Sequence, residues 1–246
     1  GLGAGAHERK GAPALRLGRA VNRDSVSRPQ VAGKAADLPV AWRFPLLILG
    51  MLSLLAGVLA GLLRAGWNLP EVQPAWLGLH APLMIGAFFG TVIGLERAVA
   101  LGRGWAYLSP LAAGVGGILL AAGAPLLPAL LLMAGGALVL TLTTLHAARR
   151  QPSLHAYILA LAAALAANAP LAWLLGLPVA AIAGWMGFLV LTIAGERLEL
   201  SRFMPPSPRA RSVFLWIVIA MLLAVLSAWL SEAGLRFLGA TLVALA

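Results

Sequence analysis

From residue 44 onward the chain is a succession of apolar runs, each about as long as a bilayer is thick. A transmembrane helix needs about 20 apolar residues at 1.5 Å rise each. Hydrocarbon offers no partner for backbone N–H and C=O groups, so such runs must satisfy them internally, as helices do. Eight runs are visible, near 44–63, 79–101, 107–123, 127–147, 155–176, 179–198, 212–231 and 235–246. Proline and glycine stand at the joins, among them Pro70, Gly102, Pro125, Pro152, Pro178 and Pro205. Those are the residues that end helices. The expected fold is all-α: a polytopic transmembrane bundle of about 8 helices, residues 43–246, behind a disordered basic tail at 1–42.

Charge sets the orientation. Threading the runs in alternation puts 16 of the 18 Lys and Arg residues on one side, leaving Arg64 and Arg236 on the other. Cytoplasmic loops carry that excess, so the N-terminus is expected inside. Trp42, Trp67, Trp76, Trp105, Trp173, Trp216 and Trp229 fall near helix ends, where an aromatic belt belongs. Hydrophobic residues make up 61% of the chain and charged residues 11%. Soluble domains carry about 25% charge, because their exteriors need it. A net charge of +10 would suggest nucleic acid in a soluble protein. Here the charges sit in a tail and in short loops, so no nucleic-acid partner is expected. The partner is a lipid bilayer, read as a bacterial cytoplasmic (inner) membrane, with a second membrane protein or a homo-oligomer as a further contact. There is no cysteine, which excludes disulfides and thiolate chemistry. The first Met is Met51 and the chain stops inside an apolar run, so a piece of a longer protein is expected.

Small residues mark where helices crowd. Gly86, Gly90 and Gly94 recur at a spacing of four in the second run, the pattern that lets another backbone approach. Gly57 with Gly61, and Gly187 with Gly195, form similar grooves. Thr91 to Arg97 and Thr192 to Arg197 echo each other, each ending in Glu-Arg near the inner face.

Three groups carry chemistry. His80 opens the second run at the outer face, where neutral imidazole is a ligand for haem iron, copper or zinc. The bland alternative is an interfacial histidine bonded to water or a loop carbonyl. His80-Ala-Pro-Leu-Met84, followed by Phe88, Phe89 and Gly90, resembles the haem-binding second helix of haem-copper oxidase subunit I. It is also similar to the NnrS type of membrane protein, associated with nitric oxide metabolism. That resemblance implies His80 as a haem ligand, with Met84 beside it. It departs from the oxidase pattern in Ala81 and Pro82, and no later outer-half histidine supplies a second axial ligand.

Glu96-Arg97 and Glu196-Arg197 form the second group. Adjacent helical residues point about 100° apart, so cross-pairing is expected, Glu96 with Arg197 and Glu196 with Arg97. These pairs are either structural clamps or part of an ion path. His146 and His155 flank the inner loop holding Arg149 and Arg150, a combination suited to anions or headgroups rather than metal. Asn168 near Pro170, and Thr141, Thr143 and Thr144, are the remaining polar groups inside spans. No catalytic constellation is visible, which argues against an enzyme. The leading expectation is a membrane protein associated with haem or metal, linked to respiratory or nitric oxide metabolism. A small-molecule or ion transporter, and a structural or assembly protein, are the alternatives.

Overall fold

The computed structural model describes residues 1, 3, 37–69, 74–201 and 207–245. Its helices all lie in the unit Ala35–Ala246. Among the described residues, seven helices are long and apolar enough to cross a membrane. They are α1 (Val40–Arg64), α2 (Pro82–Leu101), α3 (Gly104–Ala121), α4 (Leu126–Arg150), α5 (Leu154–Leu174), α6 (Pro178–Leu200) and α7 (Pro208–Leu245). No strand occurs among the described residues. The chain is an all-α membrane-protein bundle.

Alternation places Arg43, Arg97, Arg103, Arg149, Arg150 and Arg197 at one end, the inner face, and Arg64 and Arg236 at the other. Consecutive helices pack as neighbours from α3 to α6, which form the buried centre. α1 lies against α2 and α3, whereas α7 touches mainly α6. Most of the surface of α7 is apolar and faces outward, as lipid-facing helices do.

Four expectations need correction or qualification. The seventh and eighth runs are one continuous helix of 38 residues. Gly234 is the only weak helix former between them, no proline follows it, and a lone glycine costs only about 1 kcal/mol. Arg236, expected in an outer loop, lies inside this helix, and with Glu232 it binds neighbouring helix ends. Secondly, most of the expected tail lies outside the described residues, but its last residues are structured. α1 begins at Val40, and Asp37 accepts hydrogen bonds from Arg43 (2.9 Å) and the Tyr107 hydroxyl (2.8 Å). Thirdly, α2 opens with a π-helical stretch, Pro82–Phe89, a wider turn that runs as far as Phe89.

That turn explains the fourth correction. In a regular α-helix Gly86, Gly90 and Gly94 would share one face. Here a Cβ on Gly90 would meet Ala113 of α3, and one on Gly94 would meet Ser109 and Pro110, also of α3. A Cβ on Gly86 would instead strike Met133 of α4 and the Trp185 indole of α6. One row of small residues therefore serves three neighbours. The other grooves are filled by side chains: Gly57 by Met84, Gly61 by His80, Gly187 by Leu165 and Gly195 by Leu159.

Candidate functional site: a polar vestibule at the inner face

α2 carries Arg97 in its last turns, just before Gly102 ends the helix in a left-handed conformation (φ 63°). From there the guanidinium reaches α6. Its Nη2 lies 3.2 Å from Glu196 and 3.3 Å from Glu96, and Nη1 lies 3.7 Å from Glu199. Half of the expected cross-pairing is present. Glu196 does meet Arg97, but Arg197 is exposed and makes no ion pair among the described residues. Glu96 pairs with its neighbour Arg97 after all, because the long guanidinium stem swings back across the 100° between them. Glu199 went unrecognised in the sequence, although it follows Glu196 by one helical turn on the same face.

Beside this cluster lies a cavity of about 370 Å³. α2 lines it with Arg97, α4 with Thr143, Thr144 and Arg150, α5 with His155, and α6 with Glu199. Its size falls within the usual range of small-molecule sites, about 300–1,000 Å³. The cavity lies at the arginine-bearing end, beside Arg97 and Arg150. The floor is buried: Thr143 and Thr144 are almost fully enclosed, and their hydroxyls donate back to Val139 and Leu140 carbonyls. His155 is fixed by Ser153, whose hydroxyl lies 3.1 Å from Nε2. Two buried polar atoms at this level, Arg97 Nε and His146 Nε2, have no hydrogen-bond partner among the described residues. Such groups are costly to bury unpaired.

Deeper along the same face of α4 is a void of about 10 Å³, enclosed by Met133, Ala137 and Leu140, with Gly86, Ala166 and Phe188. Pro170 also lines it, and having no N–H it leaves the Ala166 carbonyl without its helical donor. Beyond, Trp185 is fully buried against Trp173, with ring centroids 5.7 Å apart. Outward of the vestibule, then, the bundle holds this small void and the packed Trp173–Trp185 pair.

His80 sits far from this vestibule, at the outer end of α2. Its Nδ1 is 2.8 Å from the Gly57 carbonyl of α1. A carbonyl only accepts, so Nδ1 carries a proton, and in the neutral ring Nε2 then keeps a lone pair. That is the tautomer a metal-binding imidazole uses. The surroundings nevertheless do not fit a haem inside this chain. Met84 and the His80 ring themselves fill the Gly57–Gly61 groove, and Met133 and Trp185 close on Gly86. No group of three potential metal ligands occurs among the described residues.

A family model described as a domain of unknown function, DUF8744, matches residues 43–246. The chain belongs to the DUF8744 family. No curated protein and no solved structure matches it. The DUF8744 region holds His80 and every residue of the vestibule, but not Asp37.

The remaining polar groups hold DUF8744 helices together. Asn168 accepts a 2.9 Å hydrogen bond from the Trp229 indole, tying α7 to α5. At the outer turn between α5 and α6, Glu232 accepts from the Val179 and Ala180 N–H groups at 3.1 and 2.9 Å. Arg236 donates to the Leu175 carbonyl at 3.1 Å. A carboxylate thus sits on a helix N-terminus and a guanidinium on a helix C-terminus, each complementing the helix dipole.

Proposed function

We propose that the protein is a multi-pass carrier of a small polar solute, in the cytoplasmic (inner) membrane of a bacterium, and that the vestibule is its inward-facing binding site. The observation that carries this reading is the cavity itself. Four spans contribute polar side chains, Arg97, Thr143, Thr144, Arg150, His155 and Glu199, to one space at the arginine-rich end. Buried polar groups in a membrane are expensive and mark solute paths by default.

The protein has no cysteine, so a single introduced thiol is read without background. Ala147 lines the vestibule and is exposed. Ala147→Cys in sealed vesicles should react with a membrane-impermeant thiol reagent applied at the inner face and resist the same reagent applied outside. Equal reaction from both sides, or none from either, removes the carrier reading.

The His80 geometry favours a second reading, in which Nε2 binds a metal or haem shared with a partner membrane protein. Its support is the carbonyl-oriented ring, together with the local likeness to the NnrS and oxidase helices. An absorption spectrum of the purified protein tests it: a Soret band lost in His80→Ala supports the reading, and a colourless, folded protein ends it.

A further inference from the structure

The vestibule presents a carboxylate, Glu199, and a guanidinium, Arg150, on different walls, and no ion pair joins them among the described residues. On the α2–α6 wall Arg97 and Glu199 line the cavity; Arg97 stands closer to Glu196 and Glu96, which are not part of the lining, at 3.2 and 3.3 Å, than to Glu199 at 3.7 Å, so the Glu199 carboxylate is only partly neutralised. On the α4–α5 wall Arg150 lines the same cavity, with Gln151 and His155 beside it. Arg150 forms no ion pair among the described residues, with Glu199 or with any other carboxylate. The rest of the lining is Ala100, Leu101, Ala147, Ala156 and Leu159, with Thr143 and Thr144, whose hydroxyls donate to carbonyls of their own helix.

Resting on the carrier reading, we propose that the solute is a small zwitterion with an aliphatic body, its ammonium on Glu199 and its anionic end on Arg150. Simpler ligands use only part of the site. A plain anion meets Arg150 but leaves Glu199 with only its 3.7 Å contact to Arg97. A plain cation meets Glu199 but must share the space with Arg150. Only a molecule bearing both signs satisfies both walls, and the cavity screens neither charge as fully as bulk water does. Arg97 is a positioning residue in this arrangement. Its charge is spent on the three glutamates, and it holds Glu199 toward the cavity.

Three size-matched probes decide the matter: 4-aminobutanoate, butanoate and butylammonium. Each is tested for its ability to slow inner-face labelling of Ala147→Cys. The expected result is protection by 4-aminobutanoate at a concentration at least about tenfold below that of the other two, the worth of one charge-assisted contact. Adding Glu199→Gln should erase that preference and make butanoate the equal of 4-aminobutanoate. Adding Arg150→Gln should do the same for butylammonium. Equal protection by all three probes, protection by butanoate alone, or no protection overturns the proposal. The rate of labelling without any probe reports separately on the vestibule. A thiol that labels normally while the probes fail sinks the zwitterion and leaves the carrier reading standing; a thiol that does not label from the inner face sinks the carrier reading.

Discussion

Replacing Arg97 with Gln removes the cation from a site with three carboxylates, and the structure sets the size of the effect. The Arg97 side chain is 16% exposed, while Glu96, Glu196 and Glu199 are 55%, 39% and 42% exposed. A fully buried pair broken on one side costs about 3–5 kcal/mol. These carboxylates keep contact with water, so each pair belongs nearer the exposed range of about 0.2–1 kcal/mol. Only Glu196 accepts a well-formed hydrogen bond from Arg97, at 3.2 Å. The sum is about 2 kcal/mol, or a melting temperature lower by about 4–8 °C. Thermal unfolding in detergent measures it, and double-mutant cycles divide it. The Arg97–Glu196 pair should couple by about 1 kcal/mol, and Glu96–Arg197 by less than about 0.3 kcal/mol. A coupling between Glu96 and Arg197 as large as that between Arg97 and Glu196 would refute the shared-cation arrangement. So would a total loss above about 4 kcal/mol, which would mean a dry, buried cluster.

Other consequences concern the joints between helices. Glu232→Gln should cost about 1 kcal/mol by weakening the cap on α6, and Arg236→Gln less; limited proteolysis near residues 175–180 would register the loosened turn. Asn168→Ala and Trp229→Phe each remove one partner of the same hydrogen bond. Each should cost about 1 kcal/mol, with the double variant far from additive; additive losses in thermal unfolding would separate the two residues. Gly117→Val places side-chain atoms against Ala87 and Ser53, where even a Cβ clashes. Overpacking of this kind costs about 1–3 kcal/mol, so a melting temperature equal to the parent's would show that α1, α2 and α3 do not meet there.

Much of the bundle was legible in the sequence because span length and charge sorting are local properties. The arginines of the short loops sort the helix ends before any packing is known. What lay beyond reach depends on which helices become neighbours. Arg236 read as a loop charge and Glu232 drew no reading, since nothing in the local pattern reveals that the α5–α6 turn offers them free N–H and C=O groups. The spacing of Gly86, Gly90 and Gly94 implied one packing face, and the π-helical stretch ahead of Gly90 redistributed it among three helices. Arg97 was expected to choose one partner, but a guanidinium with five donors accommodates several. The vestibule arises between spans far apart in the chain, so no sequence window contains it. Its floor was nevertheless visible as isolated residues: Thr143, Thr144 and the loop arginines were each singled out without a reason to join them.

Counterflow in proteoliposomes tests the central claim most directly. Vesicles are loaded with unlabelled 4-aminobutanoate, and entry of external labelled tracer is followed. A carrier should accumulate tracer transiently above the level of protein-free vesicles, and Glu199→Gln should abolish the overshoot. Tracer entry no faster than in protein-free vesicles, while 4-aminobutanoate still protects Ala147→Cys from labelling, would show a site that binds and does not carry.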